Sequence, residues 1–127
     1  MAVRILFVED EASTVEVYKA ALADAGYEVI VARNGEDGIK MFMRSLASKD
    51  HAAHFDVVVV DFRMPIKDGG EVIKAVLAAR ADQKIILATA YPYEITRAGR
   101  EFPMDRVHVM RKPFEPDELI RTIEKIS

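Results

Sequence analysis

Phe55-Asp56-Val57-Val58-Val59-Val60-Asp61-Phe62-Arg63-Met64-Pro65, followed closely by Asp68-Gly69-Gly70, is the stretch on which the fold turns. Its valines are β-branched and stiff at χ1, which suits an extended chain. The run is short and apolar without alternation, as a strand covered on both faces must be. It stops on a carboxylate, Asp61, with a Met-Pro turn behind it. Asp68 then reads as an N-cap with Glu71 three residues on, and Val72, Ile73, Val76 and Leu77 supply the apolar face of a helix. Strand, acidic loop, helix is therefore the local unit.

The same unit repeats in both directions. Short runs rich in Val and Ile recur at Arg4–Val8, Glu28–Ala32, Val57–Val60, Ile85–Ala88 and Val107–Met110. Segments of helical period lie between them. The first carries Val15, Tyr18, Leu22 and Ala25 on one stripe, with Gly26 where a helix would stop. The second carries Ile39, Phe42, Met43 and Leu46. A short, weakly patterned fourth helix is expected at Tyr93–Arg100. The last runs over Pro116–Ile126, with Leu119, Ile123 and Ile126 inward and Pro116 in the first turn. Strict alternation predicts an α/β fold: a doubly wound, five-stranded parallel sheet with helices on both faces. With 127 residues and 50% hydrophobic content, the chain is expected to form one domain over 1–127.

Composition narrows the function. No stretch is long and apolar enough to span a bilayer. The apolar Met1–Val8 segment runs straight into Glu9, Asp10 and Glu11 with no cleavage pattern, so a cytoplasmic protein without membrane contact is expected. The absence of cysteine excludes disulfides and thiolate metal sites. A net charge of −3 does not suit a broad nucleic-acid footprint, and no glycine-rich phosphate loop is present.

Open sheets of this class bind ligands beyond the carboxyl ends of their strands. The first strand ends in Glu9-Asp10, the third in Asp61, the fourth in Thr89, and the fifth runs into Lys112-Pro113. Three carboxylates on one rim repel each other unless a cation sits among them, and oxygen-only ligands suit magnesium. A lysine and a hydroxyl beside them complete a site for a phosphoryl group.

At these positions the chain resembles the receiver domains of response regulators in two-component signalling. Phe55–Pro65 with Asp68-Gly69-Gly70 is similar to that family's phosphoacceptor segment, and Val8-Glu9-Asp10 to its opening acidic pair. Ala88-Thr89-Ala90 is similar to its hydroxyl switch, and Arg111-Lys112-Pro113-Phe114 to its lysine–proline turn. The motifs fall in the family's order and cover essentially the whole chain. The resemblance implies a flavodoxin-like fold of receiver type, with Asp61 accepting a phosphoryl group from a histidine kinase or a histidine phosphotransfer protein. It also implies Mg²⁺ held by Glu9, Asp10, Asp61 and the backbone carbonyl of Arg63. Lys112 and Thr89 would meet the phosphoryl oxygens, and the Lys112–Pro113 bond would be cis. The role is a signalling phosphoacceptor that assists its own phosphorylation and dephosphorylation, not a classical enzyme. Its output would pass to a second copy or a downstream protein through the fourth-helix to fifth-helix face.

Each residue also has an ordinary reading. Asp10 would cap the first helix, Asp61 would be a turn carboxylate, Thr89 a β-branched strand residue and Lys112 a solvated charge. Their joint placement at strand ends favours the functional reading. Asp68 is assigned to structure, and His51 and His54 to cationic residues near a helix end. Val109 stands three residues before Lys112, where the family most often has an aromatic, so coupling to the fourth helix is expected to run through Tyr91, Tyr93 or His108. Lys49–Phe55 is expected as an extra segment, either a longer second helix or a surface loop. The Arg63 guanidinium is expected to lean toward the acid cluster and, with Tyr91, to slow phosphate loss. Two rival readings remain: an interaction domain that is never phosphorylated, and an Asp-nucleophile phosphatase. The latter wants an Asp where Arg63 stands.

Overall fold

The computed structural model describes residues 3–64 and 66–127, so Met1 and Pro65 of the expected turn lie outside the described residues. Five strands form one parallel sheet: β1 (Arg4–Val8), β2 (Glu28–Ala32), β3 (Val57–Asp61), β4 (Lys84–Thr89) and β5 (Val107–Arg111). Their order is β2-β1-β3-β4-β5, and the order reverses between β1 and β3. The connecting helices are α1 (Ala12–Asp24), α2 (Gly35–Leu46), α3 (Gly69–Ala79), α4 (Pro92–Glu101) and α5 (Pro116–Ile126). This is the doubly wound sheet expected from the alternation.

Successive strand residues feed two separate cores, which is why the runs show no polar alternation. Leu6, Val8, Val58, Val60, Ile85 and Leu87 join Phe42 of α2, Val72, Ile73 and Val76 of α3, and Ala98 of α4. Ile5, Phe7, Val57, Val59 and Ile86 turn the other way, onto Leu22 of α1 and Leu119 and Ile123 of α5. In-register pairing of Val8 with Val60, and of Asp61 with Ala88, brings the C-terminal ends of β1, β3 and β4 to one rim.

Helix ends follow local chemistry. Asp68 caps α3 by accepting from the Glu71 amide at 3.0 Å. Gly26 takes φ +93 just past α1, and the Tyr27 amide closes on the Leu22 carbonyl at 3.1 Å. Glu115 and Glu118 form a reciprocal capping box at α5.

Three readings of the helices need correction. Asp10 does not cap α1: Glu11 is the N-cap and makes no side-chain cap bond. Ala25 is the exposed C-cap of α1, so the buried stripe ends at Leu22. On α2 Met43 is exposed and Met41 packs on the core instead, because the buried face centres on Phe42. The extra segment takes the surface-loop alternative, with a 3₁₀ turn (His51–Ala53) past the end of α2; the His51 and His54 rings stack with centroids 5.0 Å apart, and His54 Nε2 hydrogen-bonds the Ser48 carbonyl at 3.1 Å. His51 lies in that 3₁₀ turn and His54 is its C-cap, so the histidines do stand at a helix end, as expected. The short fourth helix expected at Tyr93–Arg100 is present as α4, one residue longer at each end, with Pro92 in its first turn.

Candidate phosphoacceptor and metal site

The parallel sheet delivers three acids to the same rim. Glu9 follows β1 directly, where its amide continues the ladder to the Ala32 carbonyl at 3.0 Å. Asp10 is next in the chain, and Asp61 is the last residue of β3. Carboxylate oxygens of Glu9, Asp10 and Asp61 all lie within 4.8 Å of one another. Lys112 reaches across from the end of β5, with Nζ 2.7 Å from Asp61 Oδ1 and 3.3 Å from Glu9 Oε1. Its amide donates to the Thr89 carbonyl at 2.8 Å, which ties the β5 turn to the end of β4. The Lys112–Pro113 bond is cis, as the resemblance implied.

The charges are visibly out of balance. Glu9 is buried, and that burial together with the negative charge of Asp61 pushes its carboxyl up to about 7. Burial also raises Asp61, against the hydrogen bond and charge of Lys112. For Lys112, burial alone would lower the ammonium, but the hydrogen bond and charges of Asp61 and Glu9 reverse this and hold it above its usual value. One ammonium among three carboxylates leaves a surplus of negative charge in a half-buried site. A cluster of oxygen donors with that surplus fits a hard divalent cation.

Above the acids, Asp61, Arg63, Thr89, Ala90, Tyr91 and Lys112 line a cavity of about 210 Å³. Thr89 is buried at its edge, with its hydroxyl donating to Glu94 Oε1 at 2.6 Å. The Arg63 guanidinium does not lean toward the acid cluster. Its Nε pairs with Glu94 Oε2 at 3.1 Å, and its plane lies 3.8 Å over the Tyr91 ring. The physical reason is local: Glu94 is a buried carboxylate with one oxygen left over after Thr89, and Arg63 supplies its counter-charge.

Every residue singled out from the sequence at the strand ends therefore sits around one small space. Glu94 was missed. From the sequence it is only an acid in the first turn of a helix after Pro92, a placement the helix dipole explains without any site. Val109 packs in the core beneath α2, α3 and α4, Tyr93 points to solvent and His108 lines a separate cavity with Lys84 and Lys125.

An acid-rimmed, doubly wound sheet with an Asp at the end of its third strand defines a class of phosphoryl-accepting signalling proteins, and comparison with known proteins agrees. Among solved structures, the response regulator protein TrrA of Thermotoga maritima, in complex with Mg(2+)-BeF, has a TM-score of 0.76 at 32% identity, covering 98% of this chain and 99% of that one. The chemotaxis response regulator CheY4 of Vibrio cholerae has a TM-score of 0.80 at 25% identity over the whole of both chains. The transcriptional regulatory protein DltR of Streptococcus agalactiae is 36% identical over 94% of this chain. This chain spans about half the length of curated relatives such as DltR. The family model of the response regulator receiver domain matches residues 5–124, and the chain belongs to that family, whose members serve as phosphoacceptors in two-component signalling. No helix among the described residues is long and apolar enough to cross a membrane.

Proposed function

We propose that Asp61 is the phosphoacceptor, and that this chain takes its phosphoryl group from a phosphohistidine on a histidine kinase or a histidine phosphotransfer protein. One observation carries the reading: three carboxylates share a space under 5 Å across (4.8 Å between ligand oxygens), with the Lys112 ammonium 2.7 Å from the one that ends β3. An Asp61 carboxylate oxygen attacks phosphorus, the P–N bond breaks, and the imidazole nitrogen leaves and is protonated from solvent. Lys112 orients Asp61 before transfer and afterwards neutralises phosphoryl oxygen charge. The Thr89 hydroxyl donates to a phosphoryl oxygen once the group is in place.

Glu9, Asp10, Asp61 and the backbone carbonyl of Arg63 would hold Mg²⁺. Bound there, the ion supplies charge neutralisation for the phosphoryl oxygens, which is most of what this class of transfer needs. The chain acts in the cytoplasm as a single receiver domain, residues 1–127, that assists its own phosphorylation and dephosphorylation. The signal passes through the α4–α5 face to a second copy or a downstream protein, without contact to nucleic acid by this domain.

Incubation with acetyl phosphate and Mg²⁺, followed by intact mass, tests this. One added phosphoryl group, lost in Asp61→Asn and in excess EDTA, is the expected result. No gain of mass would leave a constitutive interaction domain, and steady turnover without accumulation would indicate a phosphatase.

A further inference from the structure

The departure at Val109 leaves open how the phosphoryl site reaches α4, and the contacts of Glu94 supply a route. Glu94 sits in the first turn of α4 and is only 6% exposed. One carboxylate oxygen accepts from the Thr89 hydroxyl at 2.6 Å, and the other pairs with Arg63 at 3.1 Å. Thr89 and Arg63 line the cavity beside Asp61, so both partners of Glu94 belong to the phosphoryl site. The Tyr91 amide donates to the same Thr89 hydroxyl oxygen at 3.3 Å, which fixes the direction of its proton toward Glu94.

A hydroxyl has one proton to give. Donated to Glu94, it is withheld from a phosphoryl oxygen; donated to the phosphoryl group, it leaves a buried carboxylate oxygen without that partner. The two bonds are mutually exclusive. We infer that Glu94 is a positioning residue that latches Thr89 in the resting state, and that phosphorylation of Asp61 opens this latch and frees the first turn of α4. The inference rests on the reading of Asp61 as phosphoacceptor and Thr89 as the hydroxyl that turns to it. It makes α4 respond without an aromatic at position 109. Arg63 is the second partner of Glu94, and its ion pair keeps the carboxylate compensated when Thr89 departs.

The energetic consequence has a definite sign. A hydrogen bond to a charged acceptor that is broken on switching opposes the switched state, so removing the acceptor favours it. Binding of beryllium trifluoride with Mg²⁺, an unreactive stand-in for the phosphoryl group, reads that equilibrium. Followed by NMR titration, Glu94→Ala should bind about tenfold more tightly than wild type, the lower end for a charge-assisted hydrogen bond. Glu94→Gln, nearly the same shape, should move the same way by a smaller factor and serves if the alanine variant folds poorly. In a Thr89→Ala background, where there is no hydroxyl to latch, Glu94→Ala should change the affinity by less than about twofold. A role confined to holding α4 in place would give the same effect with or without Thr89. In the metal-free chain, the Thr89 γ-methyl resonance should shift in both Glu94 variants. Unchanged or weakened binding in both Glu94 variants, or an equal effect in both backgrounds, overturns the latch. A wild-type chain that binds no beryllium trifluoride overturns instead the phosphoacceptor reading beneath it.

Discussion

Lys112 is the residue on which the site's electrostatics turn. It touches both Glu9 and Asp61, and its ammonium is the positive charge set directly against them. In the proposed function its contribution to transfer would be a fixed positive charge beside Asp61, in a site that is only partly open to water. Lys112→Ala should therefore slow phosphorylation by acetyl phosphate about a hundredfold, the usual scale for losing one such group. Lys112→Arg should recover little, because a planar fork does not replace a compact ammonium between two carboxylates. Initial rates from intact mass at fixed Mg²⁺ give the answer; a loss under about threefold would remove Lys112 from the mechanism.

Among the elements, the start of α3 packs closely on the end of β3 at Asp61. A Cβ built on Gly69, the first residue of α3, would stand 2.7 Å from the Asp61 carbonyl oxygen and 2.7 Å from Phe62 Cα. Both neighbours are backbone, so neither can swing aside. The Gly69 amide also donates to the Phe62 carbonyl at 2.8 Å, which stitches the helix start onto the loop that follows the acceptor. Gly69→Ala should cost about 2 kcal/mol of stability, within the range for forced overpacking, and should slow phosphorylation through a displaced Asp61. Denaturant unfolding with acetyl phosphate labelling of the same sample tests both halves. Stability equal to wild type would show that α3 moves away freely.

The elements were legible in the sequence because each encodes its own burial. Val57–Val60 is apolar at every position since alternate side chains enter different cores, and Asp61 interrupts it at the rim. Glu9, Asp10, Thr89 and Lys112 were readable for the same reason: parallel strands put their ends together. The Arg63 direction and Glu94 were not readable. Their pairing joins the loop after β3 to the first turn of α4, and depends on a loop path that no local pattern specifies. Met43 and Ala25 misled because a helical stripe predicts a direction, not how far the covering surface extends.

For the molecule as a whole, the acid cluster ties stability to pH and to metal. Glu9 titrates near 7 in the fold against an ordinary value of 4.5, so across that interval the folded chain holds a proton that the unfolded chain has lost. Stability of the metal-free protein then falls as pH rises from about 4.5 to about 7, and Asp61, also raised, adds in the same direction. In EDTA, Tm should decline from about pH 4.5 to about pH 7, and Glu9→Gln should flatten that decline. Magnesium, which binds the ionised acids, should raise Tm more at the upper pH than at the lower. A metal-free Tm that is flat or rising over the interval would contradict the charge balance described here.

The most direct test of the whole account is chemical location of the phosphoryl group. After labelling with acetyl phosphate and Mg²⁺, borohydride reduces an aspartyl phosphate to homoserine, and peptide mass spectrometry then reads its position. Homoserine at residue 61, and at no other acid, is the predicted result. Homoserine at Asp10, 5-hydroxynorvaline (the corresponding product from a glutamyl phosphate) at Glu9, or neither product in a chain that has gained phosphoryl mass, would contradict the assignment of Asp61.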